Sequence, residues 1–349
     1  MEVCFSFRII YDKILTMKGV RLIKKFLKVI KNILLFVLIQ IIVGCAFSIP
    51  MVFYGPLKNT RDMVVTTSMT TFTHQYIAKT FLSQSTIDKI MSENKINDKE
   101  AKVDINSIVI PDSVTVNKSS DPKDGIVFTN VSTSKCKAYL LEIADPSRIS
   151  IGTSDKLGSV GMKLDEITKK YGAIAAINAG GFEDVNGQGN GGTPQGTLIE
   201  NGEILFGKEN ENYQIIGFND KNDLILGYFN RAQMKAAKIR DAACFGPFLI
   251  VNGEPLIKSG NGGGGLQPRT LIAQKQNGTV MFLVMDGRQV SSAGATLKQA
   301  QDILLEHGAF NAANLDGGAS TQMVFDGQTL NHPCSAYGPR SIPSAFVVK

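Results

Sequence analysis

An apolar run near the N-terminus restricts what this chain can fold into more than any other feature. The run from Ile33 to Phe53 contains no charged residue, and a helix of that length, rising about 1.5 Å per residue, crosses a hydrocarbon layer of about 30 Å. A cleaved signal peptide is the alternative, but its apolar segment usually has about 7 to 15 residues, and no small-x-small cleavage site follows this run. We therefore predict a transmembrane helix over residues 32–54.

Residues 1–31 form a basic tail that orients this helix. They contain eight Lys or Arg residues against Glu2 and Asp12, a net charge of +6 that equals the net charge of the whole chain. The positive-inside rule places this tail in the cytoplasm and the rest of the chain outside the cell. Because the rest of the chain is neutral, it gives no support to nucleic-acid binding. We expect a single-pass protein of the cell membrane, with the membrane but no nucleic acid among its partners.

Residues 55–125 differ in composition from the residues that follow them. A Thr-rich stretch leads into a helical pattern from about His74 to Glu93 and then into Lys-rich and Asn-rich sequence. This composition predicts a stalk with a helical segment. Over residues 126–349, runs typical of β-strands alternate with Gly, Asn and Asp turns, which predicts a sheet domain.

Two helices are predicted within that domain. One covers Lys163 to Tyr171, and the other covers Leu297 to His307, with Thr296 as its N-cap and Gly308 as its stop. The second helix lies between two strand-like runs, which predicts a parallel crossover, while the hairpin-like remainder predicts antiparallel pairing. The predicted fold class is α+β, with a mixed, largely antiparallel sheet domain and a few helices, preceded by the transmembrane helix and the stalk.

The sequence predicts no cofactor. Outside the tail and the apolar run, Cys136, Cys244 and Cys334 can form at most one disulfide, and the pairing stays open. A structural zinc site is not expected, because no Cys-x-x-Cys spacing occurs. The glycine-rich run at 187–192 leads into Thr-Pro rather than into a helix, unlike a dinucleotide-binding fingerprint. A metal requirement stays open.

Four segments share one pattern, in which an apolar strand runs into a polar residue and then into glycine. They are Asn178-Ala-Gly-Gly-Phe-Glu183-Asp184, Cys244-Phe-Gly246-Pro, Asp286-Gly-Arg288 and Asp316-Gly317-Gly318-Ala-Ser320. A single Asp-Gly is an ordinary turn, but strand ends that open into glycine loops at one sheet edge commonly build ligand sites. A further glycine-rich run, at 260–265, precedes Arg269, and we interpret it as a mobile lid or a plain linker.

Carboxylates and guanidiniums are the reactive groups near these corners. The carboxylates are Glu183, Asp184, Asp286 and Asp316, and the arginines are Arg269, Arg288 and Arg340. Paired carboxylates are what cleavage of a glycosidic bond needs. The planar fork of an arginine suits a phosphate, although a surface ion pair is the alternative for each arginine. No Gly-x-Ser-x-Gly motif and no Ser-His-Asp order occurs, so acyl transfer is poorly supported.

Together these motifs resemble the phosphodiester glycosidase family. The resemblance covers about Cys136 to Lys349 and rests on five motifs in order, namely Asn178-Ala-Gly-Gly-Phe, Gly246-Pro-Phe-Leu, Pro268-Arg269-Thr270, Asp286-Gly-Arg288 and Asn314-Leu-Asp316-Gly-Gly-Ala-Ser320. The family's motifs more often read Asn-Ala-Gly-Phe-Phe and Gly-Gly-Gly-Ser, so Gly181 and Ala319 are departures. The resemblance implies hydrolysis of a sugar 1-phosphodiester, which releases the sugar and leaves a phosphomonoester.

The resemblance also implies roles for the matching residues. Arg269 and Arg288 would clamp the phosphate. Asp316 or Asp286 would orient water or attack the anomeric carbon, with Glu183 as the reserve acid or base. The other positions expected to bind substrate are Asn178, Gly317, Gly318, Ser320 and Arg340. The expected substrate is a phosphodiester of a cell-surface glycan, such as teichoic acid or exopolysaccharide. The alternatives are a non-catalytic module for glycan binding or exopolysaccharide assembly, and a metal-dependent phosphodiesterase that cuts the P–O bond.

Overall fold

The structure is a computed structural model that describes residues 2–104, 107–110, 121, 123–187, 189–335 and 338–349. The side chains of residues 2–21 and 186 lie outside this description, and so do parts of the segment interpreted as a stalk, at 105–106, 111–120 and 122. The chain divides into two compact units, one ending at Arg61 and one running from Asp62 to Lys349.

The first unit consists mainly of helix α1 (Glu2–Phe53) and is followed by helix α2 (Lys58–Met69), which leads into the second unit. The part of α1 from Leu22 to Phe53 is long and apolar enough to cross a membrane, and its most apolar stretch is not buried inside the protein. A membrane anchor and a signal sequence share these properties. The long apolar helix predicted from the sequence is therefore present, and its orientation stays a prediction.

The second unit begins with short helices. After α2 come α3 (Tyr76–Phe81) and α4 (Gln84–Asn94). The single helix predicted from His74 to Glu93 is thus divided, because Ser83 has extended backbone and caps α4 by accepting a hydrogen bond from Thr86 N. Ile96 and Val103, in the segment interpreted as a stalk, join the hydrophobic clusters of the sheet domain. Part of that segment is therefore packed into the domain.

Seventeen strands follow in the described part of the chain. In chain order they are β1 (Ile126–Asn130), β2 (Ala138–Ile143), β3 (Ile149–Thr153), β4 (Ala175–Asn178), β5 (Leu198–Glu200), β6 (Glu203–Phe206), β7 (Tyr213–Asn219), β8 (Leu224–Phe229), β9 (Ile239–Cys244), β10 (Phe248–Val251), β11 (Glu254–Pro255), β12 (Arg269–Lys275), β13 (Val280–Met285), β14 (Ala309–Asn314), β15 (Met323–Phe325), β16 (Gln328–Thr329) and β17 (Ser344–Val348).

These strands form three sheets. The first has the order β1-β2-β13-β12-β14-β10-β11, the second β16-β15-β4-β17-β3, and the third β6-β5-β9-β7-β8. Every neighbouring pair among these described strands is antiparallel. The predicted α+β class with largely antiparallel sheets is confirmed.

The central strands of the first sheet decide where the candidate site lies. β13 and β14 both run antiparallel to β12, which lies between them, so they run parallel to each other. The crossover predicted from β13 to β14 therefore spans one intervening strand. Since β12 begins with Arg269 opposite Met285, the last residue of β13, the start of β12 lies at the same sheet edge as the ends of β13 and β14.

In the part of the chain that the structure describes, three α-helices pack around the sheets. They are α5 (Leu164–Lys170), α6 (Arg231–Ala236) and α7 (Leu297–Glu306). The helices predicted at 163–171 and 297–307 are α5 and α7. The hydroxyl of Thr296 caps α7 by accepting a hydrogen bond from Gln299 N, and Leu297 and Leu304 of α7 join a cluster that includes residues of β12 and β13. Helix α6 has only six residues, too few to show a helical period in the sequence.

Candidate functional site

One edge of the first sheet gathers the predicted site residues. Arg269 opens β12, Asp286 follows β13, and Asp316 follows β14 by two residues. This gathering comes from strand direction alone, because β12 starts where its two neighbours end. The residues come from positions far apart in the sequence, and the sheet brings their backbones to one place.

Two asparagines join this edge to the other glycine corners. Asn178, the last residue of β4, donates a hydrogen bond from Nδ2 to Asp316 O at 2.6 Å, and Asp316 N donates to Ala179 O at 3.1 Å. Asn314, the last residue of β14, donates from Nδ2 to Gly246 O at 2.8 Å. All four glycine-cornered motifs therefore meet around the turn that carries Asp316.

The half-buried side chain of Asp316 is the ionisable group at the centre of this turn. Burial raises the pKa of the Asp316 carboxyl to about 6, while hydrogen bonds from Ser320 and from Gly317 N, and the charge of Arg340, act in the opposite direction. Gly317 N lies 3.0 Å from Asp316 Oδ1. A carboxyl with this pKa exchanges a proton readily near neutral pH, which suits a general acid or base.

The two glycines after Asp316 allow close approach of the backbone at Pro268 and of the Arg288 side chain. A Cβ on Gly317 would lie 2.9 Å from Pro268 O, and a Cβ on Gly318 would lie 3.4 Å from Arg288 Nη1. Gly318 also has a φ of +59°, in the region that glycine tolerates best. Its N–H donates to Pro268 O at 3.0 Å. Both glycine N–H groups are thus engaged within the protein, and the two residues act by allowing close approach.

Two guanidiniums near this end of the first sheet have no carboxylate partner among the described residues. Arg269 is 7% exposed and donates from Nε to Ala295 O at 3.1 Å and from Nη2 to Gly265 O at 2.8 Å. Arg288 donates from Nε to Gln267 Oε1 at 2.8 Å. Burial lowers the pKa of Arg269 to about 9, and the nearby charge of Arg288 acts in the same direction. Two close positive charges held by neutral acceptors form a site suited to an anion.

Asp286 occupies a different environment from Asp316, although both follow an apolar strand and precede glycine. It is fully buried, and its carboxylate accepts hydrogen bonds from Asn331 Nδ2 at 3.1 Å and from His332 N at 2.9 Å. Burial raises the pKa of Asp286, while Asn331 and His332 oppose this shift. The carboxylate therefore fastens the segment around Asn331 to the end of β13.

The side chain of Asn178 is also fully buried and engaged. Its Oδ1 accepts from Thr270 Oγ1 at 2.7 Å and from Gln322 N at 3.1 Å, in addition to the bond from Nδ2 to Asp316 O. Asn178 thus connects β4, β12 and the Asp316 turn. In this arrangement Asn178 orients the turn from the protein interior, and its side chain has no surface exposed to a substrate.

The neighbouring carboxylates Glu183 and Asp184, in the loop after β4, lie in different environments. Glu183 is exposed. Asp184 forms a two-pronged ion pair with Arg340, with Oδ2 to Nη1 at 2.5 Å and Oδ1 to Nη2 at 2.9 Å. The hydrogen bond from Arg340 holds the pKa of the Asp184 carboxyl below its usual range. Arg340 also lies over the Phe182 ring at 4.8 Å. Arg340 is therefore tied to the loop after β4 while its charge acts on Asp316.

The glycine-rich run at 260–265, interpreted above as a mobile lid or a plain linker, forms hydrogen bonds with its surroundings. Gly263 N donates to Asn261 Oδ1 at 2.8 Å, and Asn261 N donates to Asn94 Oδ1 of α4 at 3.1 Å. Gly265 O accepts from Arg269. The run is held by hydrogen bonds on both sides, so it is a fastened part of the site.

Several residues of the site carry no local sequence signal. Gln267 stands two residues before the predicted Arg269, and its amide orients Arg288. Asn331 and His332 contact Asp286 from 45 and 46 residues away. The described residues contain no cluster of three or more His, Cys, Asp or Glu side chains that could hold a metal ion.

Residues 171–349 match the family model of the phosphodiester glycosidase domain. The chain belongs to the phosphodiester glycosidase family. The match covers β4 to β17 and includes each of the glycine corners around Asp316. The family resemblance inferred from the motifs is confirmed.

Two relatives show how far the likeness extends. The chain is 27% identical over 204 residues to the SPbeta prophage-derived uncharacterized protein YomE of Bacillus subtilis (strain 168), covering 54% of this chain and 29% of that protein. It thus spans less than a third of that relative's length. The catalytic domain of zebrafish N-acetylglucosamine-1-phosphodiester alpha-N-acetylglucosaminidase, in a form auto-inhibited by its pro-peptide, superposes with a TM-score of 0.54 at 19% identity, covering 64% of this chain and 82% of that one. This second likeness supports the fold.

Proposed function

We propose that this protein hydrolyses the glycosidic bond of a sugar 1-phosphodiester. The observation that carries the proposal is that two kinds of group lie at the same end of the first sheet. One is Asp316, a half-buried carboxyl with a pKa of about 6, and the other is a set of two guanidiniums that lack a described carboxylate partner. Gly318 connects the carboxylate to one of these guanidiniums. It comes two residues after Asp316, and a Cβ at this position would lie 3.4 Å from Arg288 Nη1. A phosphodiester has the charge to lie on the arginines and a sugar carbon to lie near the carboxylate.

In the proposed reaction, Arg269 and Arg288 bind the phosphate and stabilise the charge that develops on its oxygen as the bond to the sugar breaks. The leaving phosphomonoester has a low pKa, so it needs little protonation. The Asp316 carboxylate accepts a proton from a water molecule whose oxygen forms a bond to the anomeric carbon, while the bond between that carbon and the phosphate oxygen breaks. We assign this role to Asp316 rather than Asp286 because Asn331 and His332 occupy the Asp286 carboxylate.

The proposed substrate is a phosphodiester of a cell-surface glycan, such as a teichoic acid or an exopolysaccharide. Support comes from the basic tail before the apolar helix, since the positive-inside rule favours an orientation with the domain outside the cell. The name of the zebrafish relative, a glycosidase acting on N-acetylglucosamine 1-phosphodiesters, supports the same class of bond.

The test is release of sugar from a synthetic sugar 1-phosphodiester by the full-length protein in detergent. We expect Asp316→Asn to lower kcat by a factor of about 100 or more while thermal melting shows a folded protein. Full activity of this variant would refute the assignment. Hydrolysis in ¹⁸O-labelled water should place the label in the sugar. Label in the phosphate would instead indicate cleavage of the P–O bond, and tight glycan binding without turnover on any phosphodiester would indicate a binding module.

A further inference from the structure

Helix α2 contacts the segment that leads into Arg269. Two threonines of α2, Thr66 and Thr67, and Thr70, the residue directly after the helix, make these contacts through their hydroxyl groups. Asn261 Nδ2 donates to Thr66 Oγ1 at 2.9 Å, Leu266 N donates to Thr67 Oγ1 at 2.9 Å, and Gln267 Nε2 donates to Thr70 Oγ1 at 3.1 Å. Thr70 Oγ1 also lies 3.2 Å from Gly264 O. These threonines lie outside the residues 171–349 that match the family.

Gln267 connects this helix to one of the two arginines. Its Nε2 faces Thr70, which leaves Oε1 to accept the hydrogen bond from Arg288 Nε at 2.8 Å. A rotated amide would turn its NH₂ group toward the guanidinium, where two donors oppose each other. The carbonyl oxygen of Thr67 in α2, which can only accept, also lies 3.4 Å from Gln267 Nε2 and favours this amide orientation. Because the amide is neutral, it orients the guanidinium without cancelling its charge.

The same segment connects α2 to the second arginine. Gly265 O accepts from Arg269 Nη2 at 2.8 Å. A Cβ on Gly265 would overlap Thr67 N, and a Cβ on Gly264 would lie 2.6 Å from Arg269 Nη2. Because Gly264 and Gly265 have no side chains, their backbone fits between α2 and the buried guanidinium of Arg269. A shift of α2 would move the carbonyl that holds Arg269.

We propose that α2 positions the two phosphate-binding arginines, acting on Arg288 through Gln267 and on Arg269 through Gly265. The inference rests on the proposed function, in which these arginines hold the phosphate of the substrate. Thr67, Thr70 and Gln267 are positioning residues in this arrangement. Helix α2, which follows the apolar helix in the sequence and was interpreted as part of a stalk, then contributes to the phosphate-binding site.

The test measures binding of inorganic phosphate to the full-length protein in detergent by titration calorimetry, so it does not depend on turnover. Gln267→Leu removes the acceptor of Arg288 and should weaken phosphate binding about tenfold, since a hydrogen bond to a charged group is lost. Thr70→Val should weaken it about threefold to fivefold. Thr71→Val is the control, because the partners of Thr71 Oγ1 among the described residues are Ser68 O and His74 N of its own segment, and we expect unchanged affinity.

A second comparison separates positioning from loss of folding. Because the contact of Thr70 with Arg288 runs through Gln267, the loss of phosphate affinity in the double variant Thr70→Val/Gln267→Leu should be smaller than the sum of the two single losses. For the sugar 1-phosphodiester, the single variants should raise KM more than they lower kcat. Additive losses that follow the drop in melting temperature would overturn the proposal.

Other outcomes are equally decisive. Unchanged phosphate affinity in Gln267→Leu and Thr70→Val would refute the positioning role. Increased affinity or turnover would show that α2 covers the site instead of positioning it. Absence of phosphate binding to the unsubstituted protein would also overturn the inference, since no anion site would remain to be positioned. If the phosphate affinities of the variants follow the predicted order but no phosphodiester is hydrolysed, the proposed function fails and the positioning role stands.

Discussion

Asn178 donates a hydrogen bond from Nδ2 to the backbone oxygen of Asp316 at 2.6 Å, so the end of β4 holds the turn after β14. Asn178 lies in the second sheet and is fully buried, whereas Asp316 lies in the turn after a strand of the first sheet. The carboxylate of Asp316 therefore depends on a side chain that has no exposed surface.

Replacement of Asn178 tests this relationship. Asn178→Ala should lower the free energy of unfolding by about 3 kcal/mol, because buried groups that bonded to its side chain are left unsatisfied. It should lower kcat with little change in KM, since the displaced group is Asp316. Urea unfolding and steady-state kinetics are the measurements. Asn277→Ala, at an exposed turn where the side chain accepts one bond from Thr279 N, should change stability by less than about 1 kcal/mol. A rise in KM alone would instead indicate that Asn178 binds the sugar.

The activity should depend on pH through Asp316. With a pKa of about 6 for this carboxyl, kcat/KM should rise with pH and level off above that value, because the carboxylate is the reactive form. Ser320→Ala removes a hydrogen bond to the carboxylate, so the midpoint should move to higher pH. A pH profile that stays flat between about pH 5 and 7 would contradict the role of Asp316 as a base.

Stability should show the opposite pH dependence. The pKa of Asp316 is higher in the folded state, about 6, than the roughly 3.9 of an unfolded chain. Its contribution to stability is fully present below the unfolded pKa and is lost as pH rises through the folded one. Asp316→Asn should therefore stabilise the protein by about 2 kcal/mol at pH near 8 and change little near pH 4. Equal effects in urea unfolding at both pH values would contradict this expectation.

The ion pair between Asp184 and Arg340 should stabilise the loop after β4. Its side chains are 20% and 15% exposed, so Asp184→Asn should cost about 2 kcal/mol at neutral pH. The pKa of Asp184 is lowered, so this effect should shrink as pH falls below the unfolded value. Asp220→Asn is the matched control, since the pair of Asp220 with Lys238 is 46% and 70% exposed, and a change below about 0.5 kcal/mol is expected. Urea unfolding of both variants compares them, and equal losses would contradict the role given to this pair.

A carboxylate at position 267 should disable the arginine pair without unfolding the protein. Gln267→Glu places a negative charge at the acceptor of Arg288 Nε, so phosphate affinity should fall about tenfold or more. The melting temperature should stay the same or rise, because Arg288 gains a charged partner. Calorimetry and thermal melting are the measurements. Gln276→Glu makes the same charge change at an exposed site and should leave phosphate binding unchanged; equal losses in both variants would point to net charge as the cause.

Asp286 and Asp316 illustrate how far the sequence could predict the site. Each follows an apolar run and precedes glycine, so either was a candidate for the reactive carboxylate. The structure separates them through partners that are distant in sequence, since Asn331 and His332 close the Asp286 carboxylate. Arg340 differs from the other two arginines in the same way, because its partner Asp184 lies 156 residues away.

The sequence by itself determined the long apolar helix, helix α7 with its Thr296 cap, and the order of the glycine corners, because composition, period and capping are local properties of the chain. Only the tertiary structure decided which carboxylate stays half-buried, which guanidiniums lack a described carboxylate partner, and that α2 contacts the segment before Arg269. Those outcomes depend on hydrogen bonds and burial between residues that the sequence separates, such as Thr70 and Gln267, which are 197 residues apart.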